Sequence, residues 1–199
     1  MKRYIALLAV SACCVLNAAE AATNLISIHL VADKAFPQWR HGSMPKPGDL
    51  KLMSPPVLAD SDFVSFDVTN QMFAITAEAA KRLARKIWEL GKRDAPGWGD
   101  APTVYRTGNY DLVPTTAPFV LKAAGEPIYV GAFYTPVSSS SFAGPVIVPV
   151  RLFICALMTN NVTFSIQPGY PGEFPGVAEQ LRDSRIPLAV KKLFTHEKH

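Results

Sequence analysis

Membrane-length apolar runs, paired cysteines and catalytic signatures are all missing from this chain of 199 residues. No apolar stretch reaches the roughly 20 residues that a helix needs to cross a bilayer, so a transmembrane span is not expected. Cysteine is scarce, with three residues in all, and none stands in a C-x-x-C pair. Neither H-E-x-x-H nor G-x-S-x-G occurs, which removes the usual zinc and serine-hydrolase signatures. Charge is nearly balanced: 20 basic against 16 acidic residues, a formal +4. That excess is too small to indicate a nucleic-acid partner.

What is present begins with a short basic segment, Met1-Lys2-Arg3-Tyr4, followed by the apolar run Ile5 to Leu16. Asn17-Ala18-Ala19-Glu20-Ala21 then places small residues at Ala19 and Ala21, the pattern a signal peptidase accepts. The expectation is a cleaved secretory signal over residues 1–21, a domain over 22–199, and a periplasmic or secreted location in a bacterium. Val10-Ser11-Ala12-Cys13 also resembles a lipobox, which would instead leave a lipid anchor on Cys13. The stretch before Cys13 is short for that route, and Cys14-Val15-Leu16 is not a polar linker, so cleavage near Ala21 is preferred. Cleavage removes Cys13 and Cys14 and leaves Cys155 alone, which excludes an internal disulfide. Cys155 lies in the apolar run 146–158, where a thiol acts as a small hydrophobe. With Lys2, Arg3 and Glu20 gone, the formal charge falls by one to +3.

The clearest predicted element is a helix over 76–92. Ala80, Leu83, Ala84, Ile87 and Leu90 recur at helical spacing and form its buried stripe. Thr76 is placed to cap its start, and Glu78 suits the positive end of the dipole. Lys81, Arg82, Arg85, Lys86, Lys92 and Arg93 fall on the other face, where a solvated surface explains them better than an anionic ligand.

Leu25 to Val31 alternates as a half-buried strand, and Phe63 to Thr69 does so again with Val64, Phe66 and Val68 expected on one side. Residues 33–61 are rich in Pro and Gly and should be irregular, with a short strand at 50–53. A loop is expected over 94–102 and a short strand at 103–106. Phe119–Lys122 and Ile128–Phe133 read as a hairpin turning at 124–127. A long strand, apolar on both faces, is expected over 146–157, and another over 162–166. Two helical pieces near 175–182 and 185–195 close the chain, the second with Ile186, Val190 and Leu193 inward. These elements predict an α+β fold, a mostly antiparallel sheet with helices on one face.

Chemistry is thinly supplied. The four histidines are dispersed: His29 on a strand, His41 in the Pro/Gly stretch, His196 and His199 in the tail. Asp60, Asp62 and Asp67 form an acidic group, but Asp62 and Asp67 are an odd number apart, which puts them on opposite faces of a regular strand. Ser138–Ser141 is a polar loop without the strand-to-helix setting of a nucleophile. A Cys155/His29 dyad rests on residue type alone. Asn161-Val162-Thr163 fits a glycosylation acceptor. No catalytic residue, metal ligand or cofactor is assigned.

Two stretches carry a likeness. Phe63-Val64-Ser65-Phe66-Asp67-Val68-Thr69 with Ile75-Thr76-Ala77-Glu78-Ala79-Ala80-Lys81-Arg82-Leu83-Ala84 resembles the strand-and-helix phrase of the first large periplasmic domain of SecD, a protein-export subunit. Phe119 to Ile128, leading to Gly144-Pro145-Val146-Ile147, is similar to the hairpin that follows it there. The resemblance implies a small α+β module with ferredoxin-like elements exposed to the periplasm. SecD works through membrane spans that this chain lacks, so the transport activity does not carry over. The expected function is therefore a non-catalytic binding or accessory domain, recognising a polypeptide or cell-envelope protein through its sheet edge or loop tips. The rival expectation is a small secreted hydrolase or ligand-binding enzyme with a site built from loops 33–61 and 134–144, around His41, Asp60 or Ser139.

Overall fold

The computed structural model describes residues 24–32, 44–94, 117–134, 142–148 and 161–196. Among these residues seven strands form one sheet in the order β1-β4-β5-β6-β7-β3-β2. They are β1 (Ile26–Leu30), β2 (Phe63–Asp67), β3 (Met72–Ile75), β4 (Ala117–Ala123), β5 (Glu126–Phe133), β6 (Val146–Ile147) and β7 (Val162–Gln167). Among the described residues three α-helices accompany them: α1 (Ala77–Asp94), α2 (Val177–Leu181) and α3 (Arg185–His196).

The α+β expectation holds, but the sheet is mixed. The two-residue β6 runs parallel to β5 and antiparallel to β7. Its two residues lie beside the last two of β5, Val146 across from Ala132 and Ile147 from Phe133. Residues from both ends of the strand order fall in one apolar cluster. Ile26 and Leu121 from one end meet Phe63 and Phe73 from the other, with the inner faces of α1 and α3. The sheet is thus curled around its core, not laid flat beneath a layer of helices.

Helix α1 forms where the periodicity places it. Thr76 Oγ1 accepts the Ala79 N–H at 3.2 Å, the expected cap. Ala79, Ala80, Leu83, Ala84, Ile87 and Leu90 are all buried, and each fully buried Leu or Ile contributes about 1.5–3 kcal/mol. Lys81, Arg82, Arg85 and Lys86 are exposed. Three of them pair with acids: Lys81 with Glu78, Lys86 with Glu89, and Arg82 with Asp62. Helix α3 likewise buries Ile186, Val190 and Leu193.

The β4–β5 hairpin closes on Ala124-Gly125, both with positive φ, 51° and 83°. Two consecutive left-handed residues match the twist of the flanking strands. A register shift at Leu121/Lys122 absorbs Pro127, which has no N–H for a regular ladder.

Other expectations need correction. Phe63–Thr69 does not run straight into the helix, because the chain reverses at 68–71 and returns as β3. Asp67 Oδ1 drives that turn by accepting the Thr69 and Asn70 amides. The inward face of β2 is also different from the one expected. A bulge between Phe63 and Ser65 interrupts the alternation, so Phe63 and Phe66 both reach the core while Val64 is 43% exposed. The short strand at 50–53 is only an isolated bridge, Val31 with Leu52. Of the long strand at 146–157, β6 covers two residues, and 149–160 lies outside the described residues. The strand at 103–106 lies outside them too. Among the described residues, no helix is long and apolar enough to cross a membrane.

Candidate functional site

The three carboxylates considered for acid–base work serve the backbone instead. Asp60 Oδ2 accepts the Leu25 N–H and Oδ1 the Ile26 N–H, both at 2.7 Å. Asp62 Oδ2 takes the Ala59 amide at 2.8 Å and the Arg82 guanidinium at 2.6 Å. Asp67 holds the β2–β3 turn and the Asn70 side chain, and these hydrogen bonds keep its carboxyl below the usual range. Each acid is thus occupied by a local structural task, and the three do not converge.

The convergence that does occur was not visible as a motif. Ser27 and His29 share one face of β1, two residues apart. His29 Nε2 lies 3.2 Å from Ser27 Oγ, and His29 Nδ1 lies 3.2 Å from the Met53 carbonyl oxygen. A carbonyl only accepts, so in the neutral ring Nδ1 carries the hydrogen and Nε2 receives the Ser27 hydroxyl proton. Burial holds the imidazole below its ordinary pKa, and the nearby Lys122 ammonium acts in the same direction, against the Met53 carbonyl. Lys122 stands directly across from Ser27 on β4.

Hydroxyl, imidazole and carbonyl in this order form a relay that could activate a nucleophile. Access decides against that use. Ser27 is 3% exposed, and segment 51–58 runs along the outer edge of β1. Ala32 N–H bonds to Lys51 O, Met53 N–H to Leu30 O, Val57 N–H to Ile28 O and Ile28 N–H to Leu58 O, at 2.8 to 2.9 Å. In this arrangement the relay is a clasp between β1 and the segment that covers it.

The two ends of the sheet therefore differ. The β1 edge is covered by the chain itself, whereas β2 is terminal, and among the described residues no strand pairs with its outer side. Val64, Ser65 and Asp67 are exposed along β2, and Met72 on β3 beside it is 40% exposed. On the open face nearby, β7 presents Thr163, Ser165 and Gln167 to solvent.

The remaining candidates separate. His41, Ser138–Ser141, Cys155 and His199 lie outside the described residues, so neither the Cys155/His29 pairing nor the loop-built site is met among those described. Asn161 and Thr163 of the glycosylation pattern are exposed at the start of β7. Among the described residues no group of three or more His, Cys, Asp or Glu side chains could hold a metal. Comparison with protein-family models, curated proteins and solved structures gives no match.

Proposed function

We propose that this chain is an exported, non-catalytic binding module of the bacterial cell envelope, and that it captures an extended polypeptide along the outer edge of β2, with which no strand pairs among the described residues. The observation that carries this reading is the asymmetry of the sheet among the described residues: one edge is covered by segment 51–58, while β2 at the other pairs with no further strand. A terminal strand offers unpaired backbone groups to an added strand, and the exposed Val64 and Met72 supply apolar contact beside it. Burial of Ser27 and the structural use of Asp60, Asp62 and Asp67 favour binding over hydrolysis.

Export rests on the signal-like segment 1–21, with release near Ala21 preferred to a lipid anchor on Cys13. The partner is an extended segment of a polypeptide or cell-envelope protein, not a nucleic acid. The SecD-like, ferredoxin-like reading rests on the residues quoted for it above and supplies the compartment and the kind of partner.

Two variants test the edge. Ser65→Pro removes a backbone donor from β2, and Val64→Lys places a charge on its exposed bulge. Both should abolish binding of a reduced, alkylated and therefore permanently unfolded polypeptide, with the urea midpoint monitored as a control for folding. Binding that survives both substitutions in folded protein contradicts the proposal.

A further inference from the structure

We propose that the outward face of α3 docks on a bilayer surface rich in anionic phospholipid. Leu188 enters the headgroup layer there, and the basic side chains around it meet the lipid phosphates. This surface is separate from the outer edge of β2, and the inference stands independently of the role given to that edge.

Helix α3 turns one face to the core and leaves the other to solvent. Ile186, Ala189, Val190 and Leu193 are buried where the helix packs on β1 and β4. Leu188 lies on the other face and is 61% exposed, more than Val64 or Met72, the other large apolar side chains exposed among the described residues. Arg185 precedes it by three positions, and Lys191 and Lys192 follow it by three and four, so all three adjoin the leucine on the helix surface. All three are exposed. Arg185 is paired with Asp183 at 2.8 Å, whereas Lys191 and Lys192 have no acidic partner among the described residues.

The helix dipole accounts for cations near a C-terminus. It does not account for a leucine left in water between them. An apolar centre ringed by bases is what an interfacial helix presents to a bilayer, with lysine stems along the apolar boundary and ammonium groups among the headgroups. Charge over the rest of the chain agrees. Helix α3 contains no Asp or Glu, and α1, which also packs on β4, has six Lys and Arg against three acids. The whole chain has 20 basic and 16 acidic residues, so outside these two helices 11 bases stand against 13 acids. The positive charge is concentrated on the two helices. A nucleic acid would meet the lysines but offers Leu188 no apolar layer.

Cosedimentation of the full chain with lipid vesicles tests this. At low ionic strength, binding to equimolar phosphatidylglycerol and phosphatidylcholine should exceed binding to phosphatidylcholine alone by about tenfold or more, and should fall as salt is raised. Lys191→Gln combined with Lys192→Gln should weaken binding to the anionic vesicles by about tenfold or more. Leu188→Gln, which keeps a good helix former, should weaken it by about threefold or more. Val64→Lys, which blocks the β2 edge, should not lower it, so failure here and failure of the edge reading are distinguishable. Comparing variants of one chain cancels whatever segment 1–21 contributes, and the urea midpoint monitors folding. Equal binding to neutral and anionic vesicles overturns the proposal, as does native-level binding by the folded double lysine variant. Capture of soluble polyglutamate through Lys191 and Lys192 without binding to vesicles also overturns it, making the face a site for an acidic polypeptide.

Discussion

Asp60 and Ile26 are 34 residues apart in the chain, yet the Asp60 carboxylate accepts the Ile26 amide at 2.7 Å. Its second oxygen takes the Leu25 amide, so one acid fixes the position where β1 enters the sheet. Asp60→Ala leaves two part-buried donors without an acceptor and should lower stability by about 2–3 kcal/mol, read as a shift in the urea midpoint. Asp60→Asn retains one acceptor and should recover part of the loss.

Tyr129 is a buried member of the aromatic core beside Phe119, and its hydroxyl has no hydrogen-bond partner among the described residues. Burial pushes its pKa above the usual tyrosine range. Removing an unpaired polar group from an apolar site relieves its desolvation cost, so Tyr129→Phe should be neutral or stabilising by up to about 1–2 kcal/mol. A loss of more than that in thermal or urea unfolding would show that the hydroxyl is satisfied in solution.

Gly131 is held against Phe119. A methyl group at this position would lie 2.4 Å from Phe119 Cζ and 2.7 Å from the Pro145 carbonyl oxygen. Gly131→Ala must displace a packed ring and a backbone group together and should cost about 1–3 kcal/mol. Gly48→Ala meets no atom of the described residues within 4 Å and should change stability by less than about 0.5 kcal/mol.

The two faces of α1 should respond unequally. Leu83→Ala opens a cavity in the core and should cost about 2–5 kcal/mol. Arg85→Ala alters an exposed position and should stay within about 0.5 kcal/mol. Similar losses at both positions in matched denaturation curves would contradict the orientation of the helix.

The ordinary pKa of histidine is 6.5, and His29 in the folded chain lies below it. The unfolded chain therefore takes up its proton first as the solution is acidified. The stability contributed by neutral His29 is complete above about pH 6.5 and declines as pH falls from there toward the folded midpoint. The difference in unfolding free energy between the native protein and His29→Gln should follow that course.

Helix α1 was legible because one periodicity, Ala80 to Leu90, fixes both its type and its buried face. The β4–β5 hairpin was legible because Gly125 marks the turn between two apolar runs. Strand β3 was hidden. It has four residues, and its reversal depends on Asp67 bonding to backbone amides, which no spacing of apolar residues reports. The face of β2 was misread because Phe63, Val64 and Phe66 fit either alternation until the bulge decides. Ser27 and His29 gave no motif, since the group that orients the ring is the backbone carbonyl of Met53, 24 residues away. Asp60 suggested chemistry by residue type, while its partners are backbone amides that look alike at every position in a sequence.

The most direct test of the central claim is an NMR titration of the full chain with the same permanently unfolded polypeptide, following the backbone amides. The account predicts saturable shifts confined to Phe63–Asp67 and the adjoining Met72–Ile75, with the β1 edge unchanged at neutral pH. Shifts centred elsewhere, or none at concentrations that saturate other strand-adding modules, would contradict it.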